Sequence, residues 1–281
     1  MKIGKYEIHY ITSGYFALDG GAMFGIIPKP LWEKTNSPDS VNRIKLATRN
    51  LLLISDNRKL LIDTGMGEKW DEKSRAIYDI KQDKTSVESQ LEKLNIRSGD
   101  ITDVILTHLH FDHTGGSTRY DNGKLIPAFP NAKYYVQRKN YEWACNPSER
   151  DRGSYIKDNF VPLMKAGVLN YTSGDDDFDD EIKFVVINGH TFAQQLLKIS
   201  DSSNTLLFCG DLFPTVSHIP LPYVMGYDLQ PLVTVEEKKN ILSYAAEENW
   251  KLFFEHDADT AIATITTTDK GYKVNEKFNS F

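Results

Sequence analysis

The stretch THLHFDHTGG, residues 107–116, places three of the chain's seven histidines and an aspartate within six positions. With histidine at about one residue in forty, a His-x-His-x-Asp-His pattern arises by chance with odds on the order of one in a million per start position. Side chains two apart in an extended segment leave on the same face, so His108 and His110 can bind one ion. Asp112 and His113, just beyond, turn the other way and can hold a second. Imidazole nitrogen and carboxylate oxygen suit zinc or a similar first-row metal, and an open catalytic site needs further ligands from elsewhere in the chain.

The flanking sequence supplies them. ITDVILTH (101–108) is a β-branched apolar run of strand length that carries the motif to its C-terminal end. LATRNLLLISDNRKLLIDTG (46–65) reads as two strands, NLLLI and KLLIDT, joined by the turn residues 55–58. Thr85 and Glu88 form a capping box ahead of Val87, Leu91 and Leu94, an apolar stripe at helical spacing. Downstream, IKFVVING (182–189) and NTLLFCGD (204–211) read as strands ending at His190 and Asp211. Thr234 and Glu237 form a second capping box for a helix reaching about Asn249. LFFEHD (252–257) is a strand delivering His256, and ATITTTDKGYKV is a hairpin around Asp269, Lys270 and Gly271. Polar groups thus collect at strand ends, which predicts an α/β protein of packed sheets covered by helices with a site at one rim. No internal repeat or linker interrupts the chain, so a single domain over residues 1–281 is expected.

Composition narrows the function. A net charge of -6 argues against nucleic acid as a partner, because that affinity rests on clustered Lys and Arg. No apolar run reaches membrane-spanning length, and MKIGKYEIHYITSG alternates rather than forming a signal-peptide core, so a cytoplasmic protein with no membrane partner is expected. Cys145 and Cys209 form no CxxC pair, so neither a disulfide framework nor a thiolate zinc site is indicated. GDDDFDDE (174–181) has no glycine at the sixth loop position and reads as a solvated acidic turn rather than a calcium loop. His9 falls in an alternating strand-like segment, and Arg150 and Arg152 in a surface loop.

THLHFDHTGG together with INGHT, FCGD and FFEHD resembles the metallo-β-lactamase superfamily of binuclear metal hydrolases, over about residues 40 to 260. The resemblance implies a four-layer αββα sandwich with two divalent metal ions in a cleft at the sheet ends. Zinc is the default, and the same ligands admit manganese, iron or cobalt. Carried over position by position, His108, His110 and His190 bind the first metal, Asp112, His113 and His256 the second, and Asp211 bridges them. Asp63, in LLIDTG, matches an aspartate that supports the site from behind the ligands. The implied chemistry is a hydroxide shared by the two metals, with Asp112 placed to orient it or to pass a proton to the leaving oxygen. In relatives the third motif commonly continues Thr-Pro-Gly; here it runs Thr191-Phe192-Ala193, which keeps the ligand and changes the loop.

Two further segments, LDGGAMFGIIPKPLWEK (18–34) and DLFPTVSHIPLPYVMGYD (211–228), look like those of the branch holding quorum-quenching N-acyl-homoserine lactonases and methyl parathion-type organophosphate hydrolases. The first, rich in Gly, Pro and aromatics, reads as an irregular loop at the cleft rim, with Phe24 and Trp32 either apolar contacts for substrate or aromatics that anchor the loop. His218 and Tyr223 follow the bridging Asp211 closely enough to reach substrate, and Phe213 adds apolar surface. The lactonases place a tyrosine three residues after that aspartate; this chain has Pro214, so Tyr223 or His218 supplies the missing help or the native reaction differs. The expected substrate is a small, apolar, mostly neutral molecule with an ester-like bond: a lactone such as an N-acyl-homoserine lactone, or alternatively an organophosphate triester or another ester or thioester. A nuclease would carry basic surface, and a diiron electron-transfer protein has Glu at the position of His110. A non-enzymatic metal-binding or sensing module would lack a ligand, and none is missing. The oligomeric state stays open, a homodimer included.

Overall fold

The runs NLLLI and KLLIDT pair as adjacent antiparallel strands, with Leu51 opposite Ile62 and Ile54 opposite Lys59, and the turn between them closes from Ser55 N to Arg58 O at 2.9 Å. This pair sits inside a larger sheet in a computed structural model that describes residues 1–82 and 85–279. The chain divides into two units, each discontinuous in sequence: Met1–Gly14 with Thr48–Asp176, and Tyr15–Ala47 with Asp177–Phe281.

The strands of the first unit are β1 (Lys2–Ile3), β2 (Tyr6–Asp19), β3 (Arg43–Ile54), β4 (Lys59–Ile62), β5 (Asp103–Ile105), β6 (Thr118–Asp121), β7 (Lys124–Pro127), β8 (Lys133–Gln137) and β9 (Leu169–Thr172); β2 and β3 are long enough to extend into the second unit. They form a sheet in the order β1-β2-β3-β4-β5-β8-β9, with β6 and β7 as a separate hairpin. From β4 to β9 the neighbours are parallel, so each step needs a crossover. Helices Val87–Lys93 and Arg138–Cys145 lie in two of these crossovers. The core between sheet and helices holds Leu52, Leu61, Leu91, Val104, Leu109, Tyr134 and Phe160.

Two expectations for this unit are corrected. The cap of helix Val87–Lys93 is Ser86, whose Oγ accepts from Ser89 N at 3.3 Å; of two adjacent hydroxyl residues the second takes the position. The strand expected over 101–108 ends at Ile105, because the Thr107 N–H leaves the ladder for the Asp63 carboxylate at 2.8 Å. That exit is what turns the histidine motif away from the sheet.

In the second unit, β10 (Ile182–Ile187), β11 (Gln194–Ser200), β12 (Thr205–Phe208), β13 (Lys251–Phe253), β14 (Ile262–Thr268) and β15 (Gly271–Phe278) lie in sequence order in one sheet. Only β12 and β13 are parallel, and their crossover contains helix Pro231–Glu247. Its inward stripe is Thr234, Lys238, Ile241, Leu242 and Ala245, packed over Leu207, Leu252 and Phe254. Pro231 opens this helix, so Thr234 and Glu237 lie within it and do not cap it, contrary to the sequence expectation. Residues 18–34 are also more regular than expected: Asp19 caps a short helix, Gly20–Phe24, by accepting from Ala22 N at 2.8 Å, and Lys29–Trp32 forms another. No helix among the described residues is long and apolar enough to cross a membrane.

The loop after β4 and the end of the histidine motif pass backbone to backbone, with Thr64 N donating to His113 O at 2.7 Å and Gly116 N to Gly65 O at 3.2 Å. A Cβ on Gly115 would stand 1.9 Å from Met66 O, an atom that cannot rotate away. Gly115→Ala is therefore expected to destabilise the fold by about 3 kcal/mol or more. Gly153→Ala, with nothing within 4 Å, should stay within about 0.5 kcal/mol of the parent. Paired thermal melts decide, and equal melting temperatures would remove the close approach as a constraint.

Candidate metal centre

The first unit brings His108, His110, Asp112, His113 and Asp63 together. Asp63, fully buried and at φ 54°, accepts from Thr107 N at 2.8 Å and from Thr107 Oγ1 at 2.6 Å. It also lies 3.1 Å from His113 Nδ1. A carboxylate only accepts, so His113 donates through Nδ1 and presents Nε2. Thr107 has spent its own hydrogen on Asp63, so its oxygen, 3.1 Å from His108 Nδ1, accepts from that nitrogen. His108 too is left with Nε2 as its ligand atom. The rings of His108 and His113 are 4.0 Å apart, and that of His110 is 4.4 Å from His108. Asn140, buried, accepts from Leu109 N at 3.0 Å and pins the backbone between the first two histidines.

Helix Phe111–Thr114 starts at His110, whose carbonyl receives His113 N at 3.2 Å and Thr114 N at 3.1 Å. That turn sends Asp112 and His113 in a new direction. Around it lie aromatic rings: Tyr155 is 4.8 Å from His110, while Trp70 and Tyr78 lie 5.4 and 5.1 Å from Phe111. Burial and the neighbouring Asp112 charge raise the Tyr78 hydroxyl above the usual tyrosine range. None of these rings was singled out from the sequence.

The second unit independently gathers His190, Asp211 and His256. The two oxygens of Asp211 are divided, Oδ2 lying 3.1 Å from His190 Nε2 and Oδ1 3.2 Å from His256 Nε2. Each imidazole is held at its other nitrogen. His256 Nδ1 donates to the Ala47 carbonyl at 2.9 Å, and His190 Nδ1 donates to Asp228 at 2.9 Å. Asp228 is itself fixed by Thr234 Oγ1 at 2.9 Å. Burial disfavours charge on His190, but Asp211 and Asp228 outweigh it and raise the imidazole pKa to about 10; the same negative surroundings favour a cation at Nε2. The loop carrying His190 is gripped by Glu237, whose carboxylate accepts from Asn188 N at 2.6 Å and Gly189 N at 3.0 Å. Three residues beyond His190, Ala193 adopts φ 51° and donates to Asn188 Oδ1 at 3.0 Å. The left-handed turn is present without a glycine, at a cost of about 1–2 kcal/mol.

The residues expected to touch substrate divide. Phe24 and His218 are buried and stack on each other at 4.8 Å, with Trp32 stacked on Phe24 at 5.3 Å. His218 Nε2 donates to Met23 O and Nδ1 accepts from Thr215 Oγ1, both at 2.8 Å, so neither nitrogen is left for a substrate proton. Burial holds its pKa down to about 3. Phe213 is buried as well. Tyr223 is half-buried, its ring edge-on to Phe24 at 6.1 Å.

A model of the metallo-β-lactamase superfamily matches residues 46–264. Among curated proteins, the N-acyl homoserine lactonase AttM of Rhizobium radiobacter is 30% identical over 177 residues, 60% of this chain and 63% of that protein; the chain thus spans less than two thirds of that relative. Among solved structures, a probable metal-dependent hydrolase from Staphylococcus aureus is 29% identical with a TM-score of 0.89, covering 99% of this chain and 98% of the other. AidC, a dizinc quorum-quenching lactonase solved with a product, N-hexanoyl-L-homoserine, superposes with a TM-score of 0.82 over 99% and 97% of the two chains. At 22% identity that likeness speaks for the fold.

Hydrogen bonds behind metal ligands tune affinity, and losing one typically costs 10–100-fold. Asp228→Ala is expected to weaken zinc binding by about that factor while the protein stays folded, as read by competition with a chromophoric chelator. Unchanged affinity would show that Asp228 does not orient His190.

Proposed function

We infer that this chain, which belongs to the metallo-β-lactamase superfamily, is a binuclear metal-dependent hydrolase acting on an ester-like bond in a small, apolar, mostly neutral molecule. The observation that carries the reading is the treatment of four histidines. His108, His113, His190 and His256 each commit Nδ1 to an oxygen acceptor, the arrangement by which metal-binding imidazoles fix their tautomer and aim Nε2. Buried histidines used only for packing have no reason to share it, and His218 does the reverse.

On this reading the two units act as one hydrolase domain over residues 1–281. By the family resemblance His108, His110 and His190 would hold one divalent ion, Asp112, His113 and His256 the other, and Asp211 would serve both. The donor set of imidazoles and carboxylates fits zinc, with manganese, iron or cobalt as alternatives. When bound, such a pair supplies a water acidified to near neutral pH and a Lewis acid for the substrate oxygen. The chain's own residues do the rest. Asp112 takes or delivers the proton at the leaving oxygen, and Asp63 keeps His113 from rotating. Trp70 and Tyr78, both half-buried, offer apolar surface, worth about 25 cal/mol per Å² covered. The lactonase relatives favour lactones such as N-acyl-homoserine lactones, and organophosphate triesters or thioesters come second. With Pro214 carrying no hydroxyl and His218 committed on both nitrogens, Tyr223 is the better source of help at the substrate carbonyl. The two free thiols, Cys145 and Cys209, fit a cytoplasmic protein.

Elemental analysis after reconstitution should find two metals per chain; at most one would contradict the binuclear reading. On metal-loaded enzyme, a panel of acyl-homoserine lactones, simple lactones, aryl esters, paraoxon-type triesters, a thioester and a β-lactam should show hydrolysis, highest with lactones. His110→Ala and Asp211→Asn should reduce it by more than about 100-fold, beyond the loss typical of a supporting residue. Activity confined to the thioester or β-lactam would overturn the substrate assignment, and metal binding without any turnover would favour a sensing module.

A further inference from the structure

Helix Pro231–Glu247 presents Thr234, Glu237 and Lys238 on one side, at the i, i+3, i+4 spacing that makes neighbours on a helix surface. Thr234 holds Asp228 and Glu237 holds the His190 loop, as described above. Lys238 does something different. Its side chain is fully buried, and its ammonium donates to three backbone carbonyls of one short segment: Pro220 O at 2.8 Å, Leu221 O at 3.3 Å and Tyr223 O at 2.8 Å. The cation also lies 5.7 Å from the Phe213 ring centroid.

A lysine on the inward stripe of a helix is costly, since burial disfavours its charge. Here burial lowers the pKa to about 7, with Asp228 pulling the other way. A methionine would fill the same space without that cost. What the ammonium adds is direction: three carbonyls at residues 220–223 must point at one nitrogen, which leaves the segment a single posture. That segment carries Tyr223 and lies five residues before Asp228, which orients His190.

We propose that Lys238 is a specificity-setting positioning residue: it locks residues 220–223 onto the helix that braces His190, and so fixes where Tyr223 stands relative to the reacting centre. The proposal rests on the hydrolase reading for its effect on substrate choice, but its structural half stands on geometry alone. Lys238 touches no metal ligand, so its loss should leave two metals bound. It should instead release the Tyr223 and Val224 amides, which now donate to Pro220 O at 3.0 Å and Pro222 O at 3.1 Å.

The test compares wild type, Lys238→Met and Lys238→Arg, all metal-loaded, by amide hydrogen exchange resolved to residues 219–226 and by kcat and KM across acyl-homoserine lactones of increasing chain length. Lys238→Met should exchange those two amides at least tenfold faster at unchanged metal content. KM should rise more than kcat falls, chain-length preference should flatten, and Lys238→Arg should restore part of both. If Lys238→Met does not fold, Lys238→Gln, which keeps two N–H donors, takes its place. Wild-type protection of both amides would overturn the clamp, and faster exchange with an unaltered chain-length profile would overturn its role in specificity. If wild type itself turns over no lactone, the hydrolase reading fails on the kinetic arm while exchange still decides the clamp.

Discussion

An imidazole offers a metal one lone pair, and the hydrogen bond at its other nitrogen decides which atom carries it. That constraint organises both halves of this molecule. In the first unit one buried carboxylate, Asp63, orients His113 directly and His108 through the Thr107 hydroxyl. To do so it draws the Thr107 N–H out of the sheet ladder, and β5 ends where it does for that reason. In the second unit Asp228 and the Ala47 carbonyl perform the same service for His190 and His256. Removing these acceptors would leave the imidazoles in place and their tautomers undetermined.

The candidate ligands stand out in the sequence because their chemistry is local. His108, His110, Asp112 and His113 fall within six residues, and His190, Asp211 and His256 each follow an apolar run that does become a strand. The groups that aim them were not legible, apart from Asp63. Asp228 acts across 38 residues, and the partner of His256 is a backbone carbonyl 209 positions away, which no side-chain pattern records. Thr107 stood in the quoted motif, but its role exists only once Asp63 is beside it.

The misread elements show the same boundary between local and tertiary information. Thr234 and Glu237 have the spacing of a capping box, yet that spacing also serves the interior of a helix. Pro231, three residues earlier, was the available sign that the helix had already begun. The segment 18–34 was read as irregular because Gly and Pro punctuate it, whereas Asp19 caps one short helix there and Pro30 lies in the first turn of another. From sequence Phe24 falls in a Gly- and Pro-rich loop at the rim, and His218 follows Asp211 closely enough to reach substrate. Their mutual stacking and the two hydrogen bonds of His218 place them in the interior, a fact that only packing reveals. Lys238 left no trace either: it stands in the charged run Glu236-Glu237-Lys238-Lys239, and only the folded helix shows that it faces inward.

The central claim is that four histidines are held as Nδ1–H tautomers so that Nε2 can bind metal, while His218 is held the opposite way. Long-range proton–nitrogen correlation spectra of the zinc-loaded, ¹⁵N-histidine-labelled protein report this directly. The account predicts protonated Nδ1 and metal-shifted Nε2 for His108, His113, His190 and His256, with His218 protonated at Nε2. An Nε2–H signal from any of the four in the loaded protein would contradict it.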